Sequence, residues 1–277
     1  MKTIVVVSDR SPAAEHAAEF AFIIAQKMEA NILLAYTVKA TVLSNKKVLA
    51  GHGDDKHSNH PATFAAAGKA PSLSHQTNGF VPAIKEIDIA GLDAIKMAEI
   101  VIRDNIWMMV KGVPNAPAGA PDELTLNIHS VLNRVGCPLL LVPQNWRIKN
   151  LEYLIYMADL RYCRIQVVRY VAGVAKAFNA CLSIAHLSAK GLTNIVDTYA
   201  DKIFNEEICP KVNYDKLFLN NTKEKDLHKA VDVIINGMHN DLLIMVNHRY
   251  HFEEIIGMYI GPVLPAEMTI PVLIFPY

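Results

Sequence analysis

The 277-residue chain repeats itself at an offset of 150 positions, and no other feature restricts its fold as strongly. Ile4-Val5-Val6-Val7-Ser8-Asp9 is an apolar run ending in an acid, and Leu154-Ile155-Tyr156-Met157-Ala158-Asp159 is another in the same register. The same shift lays Ala30-Asn31-Ile32-Leu33-Leu34-Ala35-Tyr36 on Ala180-Cys181-Leu182-Ser183-Ile184-Ala185-His186 without a gap. Such register argues for duplication, and a period this far beyond solenoid length makes each copy a whole domain.

Between these strands the periodicity turns helical. Ser11 can cap, Pro12 suits the first helical position, and Ala18, Ala21, Ala25 and Met28 follow at three- and four-residue steps. Shifted by the offset they become Val168, Val171, Ala175 and Phe178, still apolar. Each half therefore opens as a βαβ unit, which favours a parallel sheet with right-handed crossovers. In the first half the pattern continues as strand 84–89, helix 92–102, strand 106–110, helix 124–135 stopped by Gly136, and strand 139–142 before Pro143. In the second, residues 212–219, 225–235, 242–246 and 271–276 take the corresponding roles. The expected organisation is two α/β domains, 1–144 and 151–277, joined by a linker at 145–150. Residues 44–79, rich in His, Gly, Asn, Ser and Ala, read as a long loop where the second half carries a helical pattern through Ile195, Tyr199, Ile203 and Phe204.

Lys+Arg and Asp+Glu balance at 27 each, so there is no basic face for nucleic acid. With 52% hydrophobic and 19% charged residues the chain is not expected to be disordered. No apolar run approaches the ~20 residues needed to span a bilayer, and the amino-terminal residues turn polar too soon for a signal-peptide core. Cys137, Cys163, Cys181 and Cys209 show no CxxC spacing, which fits a reducing, cytoplasmic compartment better than a disulfide framework.

The ordered set Val5-Val6-Val7-Ser8-Asp9-Arg10-Ser11, then Ala30 to Tyr36, then Val131-Leu132-Asn133-Arg134-Val135-Gly136-Cys137-Pro138-Leu139-Leu140-Leu141-Val142-Pro143, resembles the universal stress protein family. A second copy is similar through Leu154 to Asp159, Asp241-Leu242-Leu243-Ile244-Met245 and Ile270 to Pro276. The resemblance implies two tandem open parallel five-stranded sheets of strand order 3-2-1-4-5, flanked by helices and arranged as a pseudo-dimer through their last strands. It also implies stress-related cytoplasmic roles and, in many members, ATP bound at the carboxyl ends of strands one and four, the switch point of an open α/β sheet.

The family's phosphate motif is glycine, two residues, glycine, nine residues, then glycine and serine or threonine. Glycines let backbone N–H groups approach phosphate, and a helix start receives its charge. Here Gly112, Val113, Pro114 and Asn115 lead through nine residues to Thr125 and Leu126, so only the first glycine stands in register. Asp122 and Glu123 sit where they would repel an anion. The candidate binding residues implied by the resemblance are Asp9, Ser11, Gly112, Asn115 and Thr125. The bland alternative for Asp9 and Asp159 is a turn residue that starts the next helix. Arg10 stands where the family prefers glycine, and can narrow the site or hold a different anion. The second copy has Val246-Asn247-His248-Arg249 without a glycine, and Pro262 and Pro265 disturb its last helix.

His52, Asp54, Asp55, His57 and His60 are the densest potential metal ligands, but their Gly- and Asn-rich setting reads as loop, so no metal site is expected. His16 and His129 read as surface or interface residues, Cys137 and Cys163 as structural thiols, and Met108, Met109 and Met245 as core. No GxSxG, GxxxxGK[ST] or HExxH signature is present. The expectation is a tandem, non-enzymatic stress-response protein with a binding or scaffolding role and no required cofactor. Its ligand would be a small anion or nucleotide, with ATP or AMP admissible only in the first half. Partners would include neither nucleic acid nor membrane, and a homodimer is left open. The alternative is an adenine-nucleotide sensor or weak ATPase using Asp9, Gly112, Asn115 and Thr125.

Overall fold

The structure is a computed structural model describing residues 1–38, 79–116, 126–189, 191–222 and 226–277. The first half begins with β1 (Lys2–Ser8), whose Ile4, Val5, Val6 and Val7 are all buried, as a central parallel strand requires. Helix α1 (Pro12–Met28) follows, capped by Ser11, whose Oγ accepts the N–H of Ala14 at 3.2 Å. Its alanine stripe (Ala14, Ala17, Ala18, Ala21, Ala25) is buried with Phe20 and Ile24. The small side chains let the helix lie close on β1 and on β2 (Ala30–Tyr36). Then come β3 (Ile84–Asp88), α2 (Ala94–Arg103), β4 (Met108–Val113), α3 (Ile128–Leu132) and β5 (Leu139–Pro143).

The second half runs β6 (Tyr153–Ala158), α4 (Ile165–Phe178), β7 (Cys181–His186), α5 (Asp197–Lys202), α6 (Cys209–Val212), β8 (Leu217–Asn221), α7 (Leu227–Asp232), β9 (Leu242–Val246), α8 (Tyr250–Ile255) and β10 (Val272–Phe275). A π-helical stretch, Ile203–Ile208, joins α5 to α6, and another, Val233–Gly237, extends α7. The helical pattern read through Ile195, Tyr199, Ile203 and Phe204 is helix from Asp197 onward, continued through a π segment, with Ile195 lying before its start. Val212 ends α6 instead of opening a strand, because Pro210 begins a new helical turn and Asn213, at φ 49°, closes it. Helix α3 covers only five described residues of the expected 124–135.

One ten-stranded sheet among the described residues, in the order β3-β2-β1-β4-β5-β10-β9-β6-β7-β8, replaces the two separate sheets expected. Each half keeps the 3-2-1-4-5 order, with every pairing inside it parallel. The halves fuse where β5 meets β10 antiparallel, with Leu140 opposite Leu273. The physical reason lies in the two strands themselves. Leu139, Leu140, Leu141 and Val142 on one side and Val272, Leu273 and Ile274 on the other are at most 1% exposed, and an open edge of that composition would invite any passing strand.

Side chains reinforce the junction. Tyr170 on α4 stacks on Trp107 at 4.8 Å and donates its hydroxyl to the Trp107 carbonyl at 3.0 Å. Trp146, in the stretch between the halves, is buried edge-on against Phe20 at 4.8 Å. Asp241, 1% exposed, accepts the N–H groups of Glu152 and Tyr153 at 2.7 and 2.9 Å and pairs with Lys149, anchoring the start of β6 beside β9.

Candidate ligand sites at the carboxyl ends of the central strands

In the first half β1 and β4 lie side by side, Val7 opposite Lys111. Asp9 leaves the end of β1 exposed, and its Oδ1 accepts the Ser11 N–H at 3.0 Å. Ser11 in turn caps α1. The Asp9–Ser11 pair therefore builds the turn into the helix, the role a turn aspartate often has. Arg10 sits in the left-handed region at φ 61°, with its guanidinium carbon 3.8 Å from the centroid of the Tyr36 ring. A bulky residue takes this conformation only when held there, and the cation–π contact supplies a restraint. Gly112 is buried on β4, and a Cβ there would overlap the Ala13 carbonyl in the first turn of α1. Its lack of a side chain serves helix–strand packing. Asn115 stands exposed beyond β4, while Thr125, Asp122 and Glu123 lie outside the described residues.

Lys111 escaped the sequence reading. Burial pushes its ammonium below the usual lysine range, and the charge of Asp9 works against that shift. The signal was a lone cation inside Met108-Met109-Val110-Lys111-Gly112-Val113, where every neighbour is apolar or glycine. It places a cation at the same strand ends as Asp9.

The corresponding position in the second half holds a cavity of about 140 Å³ at the ends of β6 and β9, with Asp159, Met157, Arg249, His251 and Phe252 among its walls. Asp159 is 4% exposed. Its Oδ1 accepts Arg161 Nε at 2.8 Å and the Arg161 backbone N–H at 3.1 Å, and its Oδ2 accepts Arg161 Nη2 at 2.6 Å and the Ala189 N–H at 2.9 Å. Burial alone would raise this carboxyl. The Arg161 guanidinium and the two backbone donors outweigh it and hold the group below the ordinary carboxylate range. Behind it, buried His186 accepts the Leu160 N–H on Nδ1 at 3.2 Å, and burial lowers its pKa against the opposing charge of Asp159. His251 is pushed down the same way, first by burial.

Where the halves meet, His129 on α3 is 3% exposed and both ring nitrogens lack a hydrogen-bond partner. Its ring stands 5.6 Å from that of His248 and 5.4 Å from that of Tyr259. Asn133 Oδ1 accepts the Asn247 amide at 2.6 Å and lies 3.2 Å from His248 Nε2. His129 is thus on the interface side of the surface-or-interface expectation. All four cysteines are free, and burial pushes the Cys137 and Cys163 thiols up to about 12, which makes them structural and unreactive. No group of three or more His, Cys, Asp or Glu suited to a metal occurs among the described residues, and the His52, His57 and His60 loop lies outside them. No helix among the described residues is long and apolar enough to cross a membrane.

A sheet whose two halves each reverse strand order at a central pair, with an acid ending the first strand of each, defines a duplicated doubly wound α/β protein. The model of the Universal stress protein family matches residues 1–143. The chain belongs to that family. Among solved structures, a universal stress protein from Archaeoglobus fulgidus DSM 4304 has a TM-score of 0.56 at 14% identity, covering 99% of this chain and 98% of that one. A functionally unknown protein from Pseudomonas aeruginosa PAO1 has a TM-score of 0.52 at 12% identity, covering 100% and 92%. At such identities the likeness concerns the fold. No curated protein matches the chain.

Proposed function

We propose that this chain is a non-enzymatic, cytoplasmic stress-response protein with a binding or scaffolding role, whose two domains, 1–144 and 151–277, have given up tight ATP binding. One observation supports this reading above the others: the acids that end the two first strands are engaged by the protein itself. Asp9 Oδ1 holds the turn into α1, and Asp159 accepts Arg161 on both oxygens and the Ala189 N–H on Oδ2. Bulk at Arg10 and the packing duty of Gly112 act in the same direction. Calorimetric titration with ATP, ADP and AMP in the presence of magnesium tests it. We expect no affinity tighter than millimolar, and micromolar ATP binding overturns the reading.

A second reading, an adenine-nucleotide sensor working through the first half, has Lys111 in its favour, since a cation beside Asp9 suits an anionic ligand. It requires that nucleotide binding be measurable and be lost in Asp9→Ala, and it falls if the wild-type protein binds none.

A further inference from the structure

We propose that the cavity at the carboxyl ends of β6 and β9 receives a small organic monocarboxylate bearing a hydroxyl, its charge on Arg249 and its body against Met157 and Phe252. The inference goes beyond the reading above and stands whether or not the first half holds a nucleotide.

Size comes first. A dry cavity of roughly 150 Å³ accepts benzene, and this one measures about 140 Å³. It suits a single substituted ring or a short branched chain, whereas an adenosine is far larger.

Charge comes second. The guanidinium carbon of Arg249 lies 5.0 Å from the Tyr277 ring and 6.0 Å from the Tyr162 ring, and its Nε is buried without a hydrogen-bond partner. No carboxylate is seen to form an ion pair with Arg249 among the described residues, and Asp159 on the same wall is engaged by Arg161. The guanidinium is half-buried between two tyrosine rings, and a buried N–H left without an acceptor is costly, a cost that an incoming carboxylate removes. Asp159 and Arg161 neutralise each other on this side, so Arg249 supplies a single positive charge, which matches a monocarboxylate better than a phosphate dianion or a triphosphate.

The third element is His251, 5% exposed, on the cavity wall, with Nε2 unpartnered. The ring also interacts with the backbone carbonyls of Leu187 and Ser188. A neutral imidazole that donates from its other nitrogen to a carbonyl presents Nε2 as an acceptor, and a ligand hydroxyl is the complementary donor.

The test uses the isotopically labelled full chain and protein-observed NMR, with 4-hydroxybenzoate as probe and neutral 4-hydroxybenzamide as its uncharged counterpart. We expect 4-hydroxybenzoate to shift the amides of Ala158, Ala189 and Val246 saturably, and the benzamide to bind at least tenfold more weakly. Arg249→Gln should lose at least tenfold in affinity for the acid. Ala189→Met, which fills the cavity from the loop and leaves Arg249 in place, should abolish the shifts and serves if the arginine variant does not fold. Equal binding of acid and amide, no saturable shift up to millimolar probe, or displacement of the probe by ATP from the same amides overturns the proposal.

Discussion

Gly112 illustrates how one residue can carry two meanings. In the family's motif it is the first phosphate-facing glycine; in the folded chain the space its side chain would fill belongs to the Ala13 carbonyl. Gly112→Ala forces α1 away from β4, and overpacking of this kind costs about 1–3 kcal/mol. Chemical denaturation should show that loss, whereas an unchanged midpoint would mean that the close approach is not needed. The residue also marks the limit of sequence reading. That Gly112 stands at a strand end was legible; that its neighbour Lys111 lies beside Asp9 was not, since pairing across β1 and β4 depends on residues a hundred positions apart. The second-half cavity was hidden for a related reason. The sequence there shows only missing glycines, and Arg249 and His251 resemble ordinary surface residues until β6 and β9 bring Asp159 beside them.

At the scale of elements, the repeat made the fold legible. β2 and β9 have the bounds read from the sequence, and α4 buries the four apolar positions obtained by shifting α1. Misreadings fall where a helix changes pitch, at Ile203–Ile208, and where Pro210 restarts it, because neither event disturbs an apolar pattern. The repeat also makes a prediction about helix ends. α1 ends at Glu29, φ 51°, and α4 ends at Asn179, φ 58°, the same place in the two copies. Asparagine tolerates left-handed backbone better than glutamate. Glu29→Asn should therefore stabilise the protein by about 0.3–1.5 kcal/mol, seen as a higher melting temperature. A lower one would show that Glu29 has a role the backbone does not reveal.

For the whole molecule, the decisive step is the antiparallel meeting of β5 and β10, which turns two expected sheets into one. The family resemblance implies pairing through these last strands, but a register between distant strands has no signature in either alone. The folded chain buries titratable groups, one of them (His129) where the halves meet, and this makes stability depend on pH. Burial lowers the pKa values of His129, His186 and His251. A base depressed in the folded state binds more protons when unfolded. Its contribution is therefore complete above the unfolded value of about 6.5 and is lost as the pH falls through the folded values. Asp159, also depressed, extends the loss to lower pH. Thermal melts at constant ionic strength should show a falling midpoint from pH 7 towards pH 5; a flat or rising profile would contradict the assignment of neutral buried histidines.

The central claim, that neither half retains the family's triphosphate site, is tested most directly by a crystal structure of the protein grown with saturating ATP and magnesium. The account predicts no ordered nucleotide at the ends of β1 and β4 or of β6 and β9. An adenine nucleotide seated above Asp9 with its phosphates against Asn115 and Thr125 would contradict it.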